Sequence, residues 1–150
     1  MKYLPDTTFL RALYRRQFNS ERAIAFRERI DGALRITGLL QFEFVQSVHL
    51  QVNRHRHRPK EGIAEGEAVA MLAAFESDFA SGTIRLHGFD WAQLQPVAMR
   101  LVEKHTIATG TRAFDILHVA TALHLGAREF LTFDSRQRLL AESEGLVVPL

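Results

Sequence analysis

Two periodicities of apolar residues alternate along this chain. Short runs of apolar residues predict strands at 2–5, 35–38, 84–87, 129–133 and 146–148. Apolar residues spaced three and four apart predict helices at 7–16, 20–34, 39–56, 61–80, 90–105, 112–125 and 135–144. Strands separated by helices indicate an α/β fold with a short, mainly parallel sheet of about five strands.

Four acidic residues occupy special positions in this predicted architecture. Asp6 directly follows the first strand, and Asp134 directly follows the strand at 129–133. Because parallel strands present their carboxyl ends at one edge of a sheet, both acids are expected at that edge. Asp115 and Glu43 lie among apolar helix residues, where a lone carboxylate is costly. Convergence on a divalent cation removes that cost; alternatively, each acid caps a helix or pairs with an arginine.

Length and composition fit one globular domain spanning residues 1–150 and exclude several classes of protein. The 150 residues are 47% apolar and 24% charged, close to the average for such domains. The lack of cysteine excludes disulfides, thiolate zinc sites and cysteine nucleophiles. No apolar run is long enough to span a bilayer and no signal peptide is recognisable, so a cytoplasmic protein without a membrane segment is expected. No glycine-rich turn follows a predicted strand, which excludes P-loop and dinucleotide-binding enzymes.

The basic residues are dominated by arginine. Nineteen Lys and Arg against seventeen Asp and Glu give a net charge of +2, and only three of the nineteen are lysine. Arginine binds phosphate in a bidentate manner, although a GC-rich genome produces the same bias. The run from Arg54 to Lys60 contains no acid and is either a clamp for an RNA backbone or a solvated helix end.

The segments around the four acids resemble the motifs of PIN-domain ribonucleases. In chain order they read YLPDTTFL at 3–10, LLQFEF at 39–44, RAFDILHVATA at 112–122 and FLTFDSRQ at 130–137. The third is the strongest match, and the third and fourth together are fairly specific. The resemblance implies a PIN-like three-layer sandwich in which helices flank the short central sheet, with 145–147 in its last strand.

The same resemblance implies a metal-dependent endoribonuclease. Asp6, Asp115 and Asp134 would be direct ligands of Mg²⁺ or Mn²⁺, with Glu43 as a ligand or a water-mediated partner. These four residues are therefore the expected catalytic and metal-binding set.

Three further residues receive supporting roles from their proximity to the acids in sequence. The hydroxyls of Thr8 and Thr132 would orient a bound water or a carboxylate. Arg112, one helical turn before Asp115, would contact a substrate phosphate or hold the acids in place. His118, three residues after Asp115, is expected to be a core residue, because a hard cation prefers oxygen ligands.

A bare PIN domain of this length resembles the toxin of a bacterial type II toxin–antitoxin pair (VapC-like). The implied partners are an RNA substrate, a cognate antitoxin protein and a second copy of the chain. The apolar stretch at 68–75 is expected in the core or against another chain. The alternative is a catalytically silent PIN-like module that binds RNA or protein, although such a binder has no need to crowd carboxylates where a polyanion must sit.

Overall fold

A computed structural model describes residues 2–150 and contains the α/β pattern expected from the sequence. The strands are each three residues long: β1 (Tyr3–Pro5), β2 (Leu34–Ile36), β3 (Ile84–Leu86) and β4 (Glu129–Leu131). The helices are α1 (Thr7–Tyr14), α2 (Ser20–Glu28), α3 (Gly38–His57), α4 (Glu65–Ala80), α5 (Trp91–Leu101), α6 (Ile107–Thr109), α7 (Ala113–His124) and α8 (Ser135–Ser143). Within residues 2–150 no helix has the length and apolar character needed to cross a membrane.

One compact unit consists of the residues up to Phe9 together with Gly88–Leu150. In this unit β1 pairs with β4 in parallel, with Pro5 opposite Leu131. The helix α7 is apolar along most of its length and packs against α5 and α8. Its buried side chains join those of Leu4 and Phe130 from the strands in one hydrophobic core.

The other compact unit is Leu10–His87, in which β2 pairs with β3 in parallel. Aromatic rings form the centre of its core. The Phe44 and Phe75 ring centroids are 4.6 Å apart, and Tyr14 meets Phe75 edge-on at 5.4 Å. The Tyr14 hydroxyl donates a hydrogen bond to Asp78, so the polar end of this ring is satisfied where the aromatic ring enters the core.

The prediction of one sheet of about five strands is wrong in its strand count. The described residues form four strands in two parallel pairs, and residues 146–148 contribute only one bridge, from Val147 to Glu129. Val147 donates to the Arg128 carbonyl and accepts from the Phe130 amide. The ladder stops there because Pro149 has no N–H to extend it. The predicted parallel pairing itself is confirmed.

A side-chain cap, a π-helical turn and a glycine at positive φ account for the helix bounds that differ from prediction. Thr37 caps α3 by accepting from the Leu40 amide, so Gly38 begins a helix instead of ending a strand. The long helix expected at 90–105 ends as an α-helix at Leu101 and continues as a π-helical turn, Val102–Thr106. Residues 61–64 precede α4 instead of belonging to it, because Gly62 has a φ of +74°.

The apolar stretch at 68–75 is buried on one face only. Ala68, Met71 and Phe75 are buried at helical spacing, whereas the Val69 side chain is 63% exposed. The expectation of burial therefore holds for one side of α4, and the other side is apolar surface.

Candidate active site

The carboxyl ends of β1 and β4 deliver the first part of the candidate site. Asp6 follows β1 directly and donates its backbone N–H to the Leu131 carbonyl at 3.0 Å, which extends the parallel pairing by one residue. Thr132 follows β4 directly, so its side chain arrives beside Asp6. The Thr132 hydroxyl donates to Asp6 Oδ2 at 2.6 Å. The predicted meeting of the two strand ends is thus present.

Two threonine hydroxyls hold the Asp6 carboxylate and the loop after β4 together. The Thr8 hydroxyl donates to Asp6 Oδ1 at 2.7 Å and accepts from the Phe133 amide at 2.8 Å. The Thr132 hydroxyl accepts from the Asp134 amide at 2.9 Å. Since both hydroxyls accept from backbone N–H groups, their own protons are directed at Asp6. Both threonine hydroxyls therefore fix the orientation of the Asp6 carboxylate.

Asp6 is completely buried and still accepts three hydrogen bonds. The third comes from the Phe9 backbone N–H to Oδ1 at 3.0 Å. Burial raises the pKa of Asp6 to about 6, and hydrogen bonds from Thr132, Thr8 and the Phe9 amide work against that rise. The result is a carboxylate whose negative charge is costly in the fold and would be stabilised by a cation.

Asp134 acts as the N-cap of α8. Its Oδ1 accepts from the Arg136 amide at 2.8 Å and from the Gln137 amide at 3.1 Å. Within residues 2–150, Oδ2 of Asp134 has no hydrogen-bond partner. One oxygen therefore fixes the orientation of the side chain, and the other is available to a ligand.

Asp115 and Arg112 lie at the start of α7. Arg112 occupies the N-cap position, and its backbone N–H points at Asp115 Oδ2 over 3.4 Å. Asp115 is half-buried, whereas Arg112 is exposed. An exposed guanidinium one turn from a carboxylate can reach an anionic ligand that approaches from solvent.

Glu43 lies in the compact unit formed by Leu10–His87, near the start of α3. It is half-buried, and its flanking residue Phe44 is fully buried. Its role beside the other acids stays a prediction from the motif.

The candidate ligands are chemically suited to a hard divalent cation. The candidate ligands are carboxylates, the chain contains no thiolate, and Asp6 is a buried carboxylate whose charge calls for compensation. Among residues 2–150, however, no three His, Asp or Glu side chains stand close enough together to hold a metal ion. The metal-binding assignment of Asp6, Glu43, Asp115 and Asp134 therefore stays a prediction.

His118 is fully buried, as expected for a core residue, and its charge lowers the pKa of Asp6. Its ring lies 6.2 Å from that of Phe114. In the sequence, His118 is a neighbour of Asp115, because the two are three residues apart on one helix. Its electrostatic link to Asp6, more than a hundred residues earlier in the chain, depends on packing.

Comparison with protein families gives one match. The model of the PIN domain family matches residues 3–143, which include all four acidic positions. A search of curated protein sequences gives no match.

Several solved structures share this fold. VapC20 from Mycobacterium tuberculosis, described as a toxin that cleaves the sarcin–ricin loop, is 14% identical with a TM-score of 0.67, covering 97% of each chain. FitAcB from Neisseria gonorrhoeae is 16% identical with a TM-score of 0.64, covering 97% of this chain and 95% of that one. VapBC2 from Rickettsia felis, bound to a DNA fragment from its promoter, is 12% identical with a TM-score of 0.63, covering 99% and 97%. The predicted fold is confirmed.

Proposed function

Because this chain belongs to the PIN domain family, we propose that it is a metal-dependent endoribonuclease that hydrolyses RNA phosphodiester bonds. The observation that carries the proposal is the Asp6 carboxylate, which is buried at the carboxyl ends of β1 and β4 and oriented by Thr8 and Thr132. The single family match across residues 3–143 supports treating both compact units as one domain. We place its action in the cytoplasm, where bacterial RNA is found.

The proposed chemistry assigns a task to each candidate residue. Asp6, Asp115, Asp134 and Glu43 would hold Mg²⁺ or Mn²⁺. When bound, such an ion lowers the pKa of a coordinated water and neutralises phosphoryl charge. Thr8 and Thr132 keep both Asp6 oxygens facing their hydroxyl protons, and this fixes the rotamer of the carboxylate.

Arg112 and Asp134 position the groups that surround the substrate. The Arg112 guanidinium, exposed at the start of α7, would bind a phosphate oxygen of the RNA. The α8 amides hold Asp134 Oδ1 in place, so Oδ2 keeps one orientation toward its ligand.

The proposed biological role is that of the toxin in a toxin–antitoxin pair, with an antitoxin protein and a second copy of the chain as partners. Similarity to VapC20, a toxin, and to FitAcB and VapBC2 supports this role. The exposed apolar side of α4 around Val69 supports contact with another chain.

The test is cleavage of a labelled single-stranded RNA with Mg²⁺ or Mn²⁺, before and after chelation. Chelation is expected to abolish cleavage, and Asp134→Asn or Glu43→Gln to lower kcat by at least about a hundredfold. Asp31→Asn, which removes the same charge from an exposed position, is the matched control and should cleave like wild type.

The catalytically silent binding module is the second candidate. Among the described residues, no three potential metal ligands lie close enough together to hold a metal ion, and this favours the binding module. Tight RNA binding with no cleavage in either metal, and no Mn²⁺ binding by calorimetry, would establish this alternative. Equal Mn²⁺ affinity for wild type and Asp115→Asn would remove Asp115 from the metal site.

A further inference from the structure

A group of arginines in the unit Leu10–His87 lies outside the candidate active site. Arg11 lies in α1, and Arg15 directly follows that helix and donates its backbone N–H to the Arg11 carbonyl at 3.0 Å. The Arg15 guanidinium donates to the Gly62 carbonyl at 3.4 Å, and the residue after Gly62, Ile63, donates its N–H to Gln51 of α3. Arg15 therefore reaches the stretch of α3 that carries Arg54. We call Arg11, Arg15 and Arg54 the arginine cluster.

Two of the three charges in the arginine cluster have no ion pair among the described residues. Arg15 forms an ion pair with Glu67 at 2.8 Å. Arg11 is half-buried, yet neither it nor Arg54 forms a side-chain hydrogen bond or ion pair within residues 2–150. Burial, followed by the charges of Arg15 and Arg54, lowers the pKa of Arg11. A half-buried guanidinium beside two others is unfavourable unless an anion joins them.

The neighbouring acids are already engaged elsewhere. Arg56 pairs with Glu65 at 2.8 Å, and Arg58 approaches Glu61 at 3.4 Å. The basic run seen in the sequence is thus partly neutralised at the end of α3. The uncompensated charge is at Arg54 and, from a different helix, at Arg11.

We propose that the arginine cluster binds a backbone phosphate of the RNA substrate. This inference rests on the proposed ribonuclease function. A tetrahedral phosphate presents its oxygen lone pairs in several directions, so guanidinium groups from two helices can bind it together. A planar carboxylate is matched by one guanidinium, which makes an acidic protein segment the poorer fit.

Binding of the substrate phosphate also offsets the repulsion among the positive charges of the arginine cluster. Arg11 is half-buried and forms no ion pair within residues 2–150, so binding an anion relieves repulsion as well as forming hydrogen bonds. Removing the Arg11 charge should therefore weaken RNA binding without weakening the fold. A purely structural arginine predicts the opposite.

The experiment measures binding of a labelled single-stranded RNA in chelator, where cleavage does not occur, over a range of salt concentrations. Arg11→Gln and Arg54→Gln are each expected to weaken binding about tenfold at low salt. Each should reduce the slope of log K against log salt by about 0.7. Arg11→Gln should melt at or above the wild-type temperature.

Arg56→Gln is the matched control. Like Arg54→Gln, it removes one positive charge from α3, two residues further along the chain. The Arg56 guanidinium, however, is already paired with Glu65. Its effect on RNA affinity should be less than about twofold. If all three variants bound RNA alike, the proposal would be overturned.

Competition experiments distinguish RNA from other anions as the ligand of the arginine cluster. Poly-glutamate displacing RNA better than unlabelled RNA of equal charge would assign the cluster to an acidic protein partner. Inorganic phosphate binding as tightly as RNA would assign it to a free anion. Either result overturns the proposal.

The outcome is independent of the cleavage assay. If wild type cleaves RNA and the Arg11 and Arg54 variants keep its affinity, only this inference fails. If these variants lose affinity but wild type cleaves no RNA, the phosphate site stands and the ribonuclease proposal fails.

Discussion

Asp6 combines full burial with three hydrogen bonds to its carboxylate, and these two features have opposite effects on its charge. Burial disfavours the ionised form, whereas donors directed at both oxygens favour it. Sequence position alone placed Asp6 at the strand end. Thr8 lies close to Asp6 in sequence and Thr132 close to Asp134, and this proximity indicates their supporting roles. Their roles as donors and acceptors depend on the backbone amides of Phe133 and Asp134.

Asp6→Asn is expected to separate catalysis from folding. At pH 8, above the raised pKa of about 6, Asp6 is ionised in the fold and carries a desolvation cost that the neutral amide lacks. The amide oxygen keeps an acceptor for Thr8 and the Phe9 amide, whereas the Thr132 hydroxyl loses its acceptor, which offsets part of the gain. We expect unfolding free energy in chelator to equal wild type or exceed it by about 1 kcal/mol, while RNA cleavage is lost.

Chemical denaturation and the cleavage assay test this together. Asp6→Ala is the control, because it leaves two hydroxyls and the Phe9 amide without their acceptor and should cost about 2–4 kcal/mol. An Asn variant that unfolds far more easily than wild type but still cleaves RNA would show that Asp6 is structural.

At the scale of single elements, the π-helical turn Val102–Thr106 lets one glutamate contact two cations and a histidine. Glu144, just after α8, contacts Arg100 at 2.8 Å, Lys104 at 2.9 Å and His105 at 2.7 Å. A π-helical turn contains more residues than an α-helical turn, which brings His105 back to the side that carries Arg100. The periodicity of apolar residues predicted a plain helix here, because a π-turn has no pattern of its own in the sequence.

Glu144 should contribute stability that depends on pH. Burial by itself would raise its pKa, but hydrogen bonds from His105, Lys104 and Arg100 outweigh it and hold the pKa near 2, below the ordinary 4.5. Since the folded value is depressed, the contribution is full above about pH 4.5 and is lost as pH falls toward 2. Glu144→Gln should remove about 1–2 kcal/mol at pH 7, because Arg100 and Lys104 are half-exposed and screened by solvent.

Denaturant unfolding at pH 7, 5 and 3 measures this dependence. The difference between wild type and Glu144→Gln should shrink between pH 5 and pH 3. A difference that stays constant over this range would contradict the assignment.

The turn before α4 depends on a glycine that no side chain can replace. Gly62 has a φ of +74°, and a Cβ there would lie 2.1 Å from the Gln51 carbonyl oxygen and 2.9 Å from the His55 amide nitrogen. Gly62→Ala must therefore move backbone, and we expect a loss of at least about 3 kcal/mol. Gly66→Ala, within α4 and with open space around it, should instead gain about 0.5–1 kcal/mol.

Thermal melting of the two glycine variants tests the prediction, since they differ only in position. Gly62→Ala should also weaken RNA binding, because the Gly62 carbonyl accepts from Arg15 of the arginine cluster. Equal melting temperatures for both variants would mean that the turn adapts without cost.

For the whole molecule, the apolar face of α4 is the clearest candidate for assembly. The Val69 side chain is 63% exposed, whereas the preceding residue, Ala68, is buried. Val69→Glu should leave the melting temperature of the monomer within a degree or two, because exposed substitutions rarely change stability by more than about 0.5 kcal/mol. It should weaken self-association or antitoxin binding by about tenfold or more.

Light scattering after size-exclusion chromatography measures the mass in solution. Co-purification with the co-expressed product of the gene directly upstream, the expected position of an antitoxin gene, measures antitoxin binding. Gln93→Glu, an exposed substitution of the same charge on α5, is the control. A wild-type monomer at high concentration that binds no such partner would remove α4 as an interface.

The sequence by itself determined the order of strands and helices and the arrival of Asp6 and Asp134 at strand ends. Both follow from local patterns, because apolar periodicity selects the element type and parallel pairing aligns the carboxyl ends. It also determined the family, since the motifs lie in order along nearly the whole chain. The strand count was wrong because a three-residue apolar run does not reveal whether its backbone finds a partner.

Only the tertiary structure decided which charges are compensated. The basic run from Arg54 to Lys60 looks uniform in sequence, yet Arg56 and Arg58 have acidic partners and Arg54 has none within the described residues. The Arg54 charge acts instead on Arg11, from another helix, and lowers the pKa of Arg11. Ion pairs depend on distances of a few ångströms between side chains that are far apart in sequence, and packing alone sets those distances.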